Sequence, residues 1–236
     1  MRKAHFKILT CTWLLLIFGL STLAAQNSIS ARTAAQKARA KKAITSLLDG
    51  ALIVRIPSKA SKIAELERLS KSTELSAKTR ERMRAQLAQT KAERDLYTRE
   101  LMAAFNAYYD FSTVYFAYDT AFTRLNKGQK TGLFLNEDLE IDPVIDLTDR
   151  PYLVLRTGTT DPSYTSGIEA MIFMDSDMED LTKPFPYYVK MKSIGHIIQS
   201  IFYPNRAVRR SAEKIVQQMN RQLRSFHEDA FLASAP

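Results

Sequence analysis

Ala51-Leu52-Ile53-Val54-Arg55-Ile56 is a compact β-forming run set between Gly50 and Pro57, and Ser112-Thr113-Val114-Tyr115-Phe116-Ala117-Tyr118 is a second. Both are rich in the β-branched and aromatic residues that suit a pleated, buried surface. What lies between them decides the fold. From Ser76 to Asp110, Met83, Leu87, Thr90, Arg94, Tyr97, Leu101, Ala104 and Tyr108 recur at alternating spacings of four and three. This places one stripe on a helix of about nine turns. Upstream, Pro57-Ser58 reads as a helix start, Ile63, Leu66 and Leu69 repeat every three residues, and Ser70 to Thr73 is a polar break. Residues 58–110 are therefore expected to form a helical hairpin, in the manner of a short coiled coil. Strand, helical crossover and strand make a βαβ unit, whose strands most simply lie parallel in one sheet.

Beyond this unit, Asp119 to Asn126 reads as a short helix closed by Lys127-Gly128, and strands are expected at Leu133 to Leu135, Tyr152 to Thr157, Ile168 to Asp175 and Tyr187 to Met191. Short, turn-rich links join these later runs, so they are expected to pair mainly antiparallel. Near the C-terminus, Val208, Ala212, Ile215, Met219, Leu223 and Phe226 form another helical stripe, with Arg209, Arg210, Lys214, Arg221 and Arg224 on the other faces. The expected architecture is α/β or α+β. It has a mixed β-sheet, a long helical hairpin inserted between the first two strands, and a C-terminal covering helix. Residues 51–236 are read as a single domain, preceded by a basic amphipathic helical segment at 26–50 in which Ile44, Leu47 and Leu48 are available to dock.

The extreme N-terminus bears on location. Arg2, Lys3 and Lys7 precede an apolar run from Ile8 to Leu20, followed by Ser21-Thr22-Leu23-Ala24-Ala25. This is the three-part layout of a secretory signal peptide. Cleavage after Ala25 leaves Gln26 first. Cleavage after Ala24 is the alternative, and retention as an anchor is a third outcome for an apolar core shorter than the about 20 residues of a spanning helix. The expected location is periplasmic or extracellular. Cys11, the single cysteine, leaves with the leader. The mature chain then has no thiol, which excludes disulfides, thiol catalysis and cysteine-ligated metal centres.

Charge follows the same partition as periodicity. The whole chain carries a formal +9, which becomes +6 without Arg2, Lys3 and Lys7. Residues 26–110 hold 17 basic against 9 acidic side chains, residues 111–193 hold 8 against 13, and residues 194–236 hold 6 against 3. On the long helix Arg80, Arg82, Arg84, Lys91, Arg94 and Arg99 alternate with Glu81, Glu93, Asp95 and Glu100, the pattern of a solvated face. No nucleic-acid partner is expected. An anionic membrane surface is a candidate partner for the basic N-terminal segment through Arg32, Lys37, Arg39, Lys41 and Lys42, although its apolar face is mostly alanine, which buries little area.

One constellation has the form of chemistry. The apolar run Ala170 to Met174 ends in Asp175-Ser176-Asp177, and two carboxylates at a strand tip can hold a hard divalent cation, calcium or magnesium. This resembles the Asp-x-Asp of nucleotide-sugar glycosyltransferases and, more loosely, the first motif of haloacid-dehalogenase-type phosphatases. Met178-Glu179-Asp180 follows where the phosphatase motif wants a Gly-Thr pair, and the glycine and closing glutamate of a helix-loop-helix calcium loop are missing. The plain alternative is a polar hairpin turn. Ser163, Thr165 and Ser166 lack a nucleophile elbow, and His196 and His227 stand 31 residues apart with nothing to join them. Aromatics are the last candidates: Phe185, Tyr187 and Tyr188 around Pro184 and Pro186, and Tyr115, Phe116 and Tyr118. Each set reads as core packing or as a docking face for a protein or a glycan.

The strand Leu52 to Ile56, the long helical insert, the block Phe111-Ser112-Thr113-Val114-Tyr115-Phe116 and the block Lys183-Pro184-Phe185-Pro186-Tyr187-Tyr188-Val189 together resemble an uncharacterised group of exported proteins of Bacteroidetes-type bacteria. The resemblance spans most of the mature chain. It implies an exported location and carries no known activity. The element order is also similar to a thioredoxin-like arrangement with a large helical insertion, which without cysteine implies a scaffold only. The sequence thus points to a cell-envelope binding or structural module, with a metal-dependent hydrolase or transferase at Asp175 and Asp177 as the alternative from another class.

Overall fold

The computed structural model describes residues 31–161, 167–191 and 204–232. The signal sequence, the loop with Ser163, Thr165 and Ser166, and His196 lie outside the described residues. The first described helix, α1, covers residues 31–48. It leads into β1 (Ala51–Ile56), the hairpin helices α2 (Ala60–Lys71) and α3 (Ala77–Tyr108), and β2 (Thr113–Tyr118). A 3-10 turn (Asp119–Ala121) and the short α4 (Phe122–Asn126) follow. The chain then continues through β3 (Tyr152–Thr159), β4 (Glu169–Met174), β5 (Tyr188–Lys190) and the terminal helix α5 (Pro204–Leu232). Among the described residues no helix is long and apolar enough to cross a membrane.

The architecture is α+β around a five-stranded mixed sheet in the order β2-β1-β3-β4-β5. β1 lies parallel to β2, with Ala51 opposite Thr113 and Ile56 opposite Tyr118, so the hairpin is the crossover of a βαβ unit. β3 to β4 and β4 to β5 are antiparallel, as short links require. β3 departs from the antiparallel expectation on its other side, where it pairs parallel with β1 and sets Ala51 against Tyr152. The stretch from Asp119 to Pro151 is long enough to carry the chain back to the starting end of β1. A parallel strand needs such a return. Gly50 sits where this return closes. A Cβ there would fall 1.9 Å from the Pro151 carbonyl oxygen, the same oxygen that accepts from the Ala51 amide at 3.0 Å, so the close approach admits only glycine.

Alternation along β1 sends Leu52, Val54 and Ile56 to one face and Ala51 and Ile53 to the other, which explains why a central strand reads as a continuous apolar run. The first face carries the larger core. Ala40, Ala43, Ile44 and Leu47 of α1, Leu101, Met102, Ala104 and Phe105 of α3, and Ala212, Ile215, Val216, Met219 and Leu223 of α5 all pack over it. The α5 stripe and the second half of the α3 stripe therefore face inward, while Tyr108 at the end of the α3 stripe and Leu48 of α1 stay exposed. The opposite face is covered by α4 and by the irregular stretch 127–150, which contributes Leu133, Phe134 and Leu147. The strand expected at Leu133 to Leu135 is replaced by a bridge from Leu135 to Ile141, and the Leu135 amide bonds to the Phe116 carbonyl. Local side-chain bonds compete with a ladder here: Asn136 Oδ1 accepts from the amides of Asp138 and Glu140, and Asp142 Oδ1 from that of Val144.

At about 1.5 Å per residue, the 32 residues of α3 run to about 48 Å, more than twice the length of a six-residue strand. Only the second half of α3 lies on the core; its first fully buried residue is Thr90. The distal half pairs with α2 through Leu66 and Ser70, with Lys91 to Glu67 at 2.8 Å and Lys59 to Glu93 at 3.4 Å as interhelical ion pairs.

Candidate functional site

β4 ends at Met174, and the chain turns at once: the Asp175 amide donates to the Glu179 carbonyl at 2.9 Å, and Met178 takes a left-handed conformation with φ 63°. Asp175 holds this turn from inside. Its Oδ1 accepts from the Asp177 amide at 3.1 Å and the Glu179 amide at 3.0 Å, and its Oδ2 is ion-paired with the Arg39 guanidinium of α1. Arg39 also reaches Glu179 at 3.1 Å, and Asp180 is gripped by both nitrogens of the Arg156 fork at 3.1 and 2.6 Å. The hydrogen bond that Arg39 donates to Asp175, with the charges of Asp175 and Glu179, raises the Arg39 pKa above its ordinary value.

Asp175 and Asp177 are thus adjacent at the strand tip as their spacing implies, but they differ in role. Asp175 is engaged on both oxygens, while Asp177 is exposed. A cation entering here would have to displace Arg39. The cleft beside the turn, about 490 Å³, has mixed sign, with Lys42, Lys130 and Arg150 facing Asp177 and Glu179. Among the described residues no group of three or more histidine, cysteine or acidic side chains is placed to hold a metal. His227 packs edge-on against Phe111 at 5.9 Å in α5.

The aromatic candidates divide. Phe185 is core, 1% exposed and set between Phe173 at 5.5 Å and Phe226 at 5.6 Å. Phe116 is likewise buried, and Tyr115 and Tyr118 are half-buried against Phe134 and under Arg94. Tyr187 and Tyr188 are half-buried and meet edge to face at 4.9 Å. With Pro184 and Pro186 they form one wall of a groove of about 590 Å³, whose other walls are the start of α1 and the middle of α5. That volume is within the about 300–1,000 Å³ range of ligand pockets. Around its rim stand Lys37, Lys183 and Lys190, none of which has a carboxylate partner among the described residues. The Gln222 side-chain oxygen is buried without a hydrogen-bond donor among the described residues.

Sequence reasoning singled out the aromatic segment and, separately, Lys37 as part of a basic helical face, but it missed Gln218 and Gln222 and did not join any of the three to the aromatics, which they reach from helices about 150 residues before and 35 after. No local pattern joins residues so separated. The basic face of α1 also changes meaning. Arg39 is spent on the acidic turn, and Ile44 and Leu47 are fully buried against the sheet, so a membrane contact by this helix would rest on charge alone. On α2 and α3, Arg68 to Glu65 and Arg84 to Glu81 are exposed local pairs of the kind that keep a helix soluble. No protein-family model, curated protein or solved structure matches the chain.

Proposed function

We propose that this chain is an exported, non-enzymatic binding module of the cell envelope, and that it engages a protein partner through the groove between α1, β5 and α5. The groove is the observation that carries the reading. It joins half-buried tyrosines and prolines, which offer contact area at little entropic cost, to cations that no described carboxylate neutralises. The acidic turn supports a structural role better than a catalytic one, because Asp175 is committed to two backbone amides and to Arg39. Export rests on the leader at residues 1–25, and placement in the periplasm or outside the cell follows from it.

The test is site-specific photo-crosslinking in the exporting cell, with the reactive residue at Tyr187 in the groove or at Arg82 on the exposed hairpin face. A discrete adduct formed from Tyr187 and absent from Arg82 is the expected result. Equal adducts from both positions, or none from Tyr187, would remove the groove from consideration.

A further inference from the structure

β5 is the last strand of the sheet, and its hydrogen-bonding pattern can be read residue by residue. The Phe173 amide donates to the Tyr187 carbonyl at 2.8 Å, the Met191 amide donates to the Glu169 carbonyl at 2.9 Å, and Met171 stands opposite Val189. The Tyr187 carbonyl, Val189 and the Met191 amide therefore face β4, the Tyr187 amide donating instead to the Phe185 carbonyl at 2.8 Å, and alternation turns the backbone groups of Tyr188 and Lys190 outward. Among the described residues no strand lies beyond that edge. Tyr188 and Lys190 are both among the residues that line the groove described above, so this strand edge and the groove adjoin.

Resting on the reading of this groove as a docking site, we propose that its occupant is an extended acidic segment of a partner protein, added antiparallel or parallel to β5 as a sixth strand. Main-chain bonds to Tyr188 and Lys190 supply the register, as in other strand-addition complexes. Lys37, Lys183 and Lys190 supply the choice of sign, since they ring the groove and no carboxylate lines it. A second copy of this chain is the wrong partner for the same reason: edge-to-edge pairing of two β5 strands would bring like charges together, a device that protects sheet edges from self-association.

The mature chain from Gln26 is titrated by fluorescence anisotropy with a labelled twelve-residue peptide alternating glutamate with valine and threonine. Three comparisons accompany it: the same peptide with lysine for glutamate, the glutamate peptide N-methylated at alternate residues, and vesicles of anionic lipid. The expected result is binding of the acidic peptide alone, weakened about two- to fivefold by Lys190→Gln and further by added salt. Tyr188→Pro removes an outward amide without costing a ladder bond, so it should fold and lose the peptide. The N-methylated peptide asks the same of an unaltered protein, whatever Tyr188→Pro does to folding.

Equal binding of acidic and basic peptides, or undiminished binding after N-methylation, would overturn strand addition and leave the groove a docking site of another kind. Binding of vesicles but not peptide would overturn it in favour of a lipid surface. Peptide binding that appears only after residues 192–203 are deleted would assign the edge to the chain's own segment. If no probe binds while Tyr187 still crosslinks in the cell, the acidic strand is wrong and the docking reading stands; loss of both removes both.

Discussion

The two halves of α3 are one continuous helix with two different sources of stability. From Thr98 to Tyr108 it presents Leu101, Met102, Ala104 and Phe105 to the sheet, where Phe105 is fully buried and meets Tyr109 and Phe116 edge to face at 5.4 and 5.5 Å. From Ala77 to Gln89 no residue is fully buried, and the helix is held by its cap, its helix-forming residues and its contact with α2. The apolar stripe is periodic throughout, but periodicity only says which face turns inward. How much it buries depends on whether a sheet or a single thin helix lies opposite. The same sequence signal therefore supports a rigid anchor at one end and a cooperative unit of lower local stability at the other.

The sharpest way to break this contrast is at the anchor. Phe105→Ala should cost about 3–5 kcal/mol of global stability, because it removes a fully buried ring from between two aromatic neighbours; chemical denaturation of the mature chain reads it. Next comes the tie between α3 and α5. Glu100 is 8% exposed and receives both nitrogens of the Arg209 fork at 2.8 and 3.1 Å. Arg209→Ala should lower stability by less than Phe105→Ala, chiefly by leaving that carboxylate under-bonded, and the same denaturation measurement reads it. Because Arg209 itself is largely exposed, the loss should fall below that of a wholly buried pair, and Arg209→Lys should restore only part of it.

The smallest expected effect lies at the tip. Ser76 caps α3 by accepting from the Thr79 amide at 3.2 Å, and Ser76→Ala should cost about 1 kcal/mol. Hydrogen exchange should locate that loss in amides of the first turns of α3 and the end of α2, with those around Phe105 unchanged. Equal acceleration along the whole helix would show that α3 opens as one unit and erase the distinction between its halves.

Much of the fold was legible without coordinates, for reasons that differ by element. β1 was bounded by Gly50 and Pro57, two residues that interrupt a strand, the second because it has no amide to give. The stripes Val208 to Leu223 and Leu101 to Ala104 were visible because a helix repeats its inward face over many turns. The stretch 127–150 was read less well. Its apolar residues Leu133, Phe134 and Leu147 are as buried as any strand's, but the backbone around them is held by asparagine and aspartate side chains, which leave no period to detect. At the acidic turn, spacing placed Asp175 beside Asp177 correctly, and nothing local could show that Arg39, 136 residues earlier, occupies one of them.

The sequence by itself determined most of the elements, though not the irregular stretch 127–150, together with the parallel pairing of the first two strands and the inward faces of α3 and α5, since each follows from local propensity and short-range periodicity. Tertiary structure alone decided that β3 lies parallel to β1, which carboxylates are already partnered, and that Lys37, Tyr188 and Gln222 share one groove beside β5, the last strand of the sheet among the described residues. Those outcomes depend on which distant surfaces meet. Burial and pairing energies act between chain-remote groups, and their result is not written in any window of neighbouring residues.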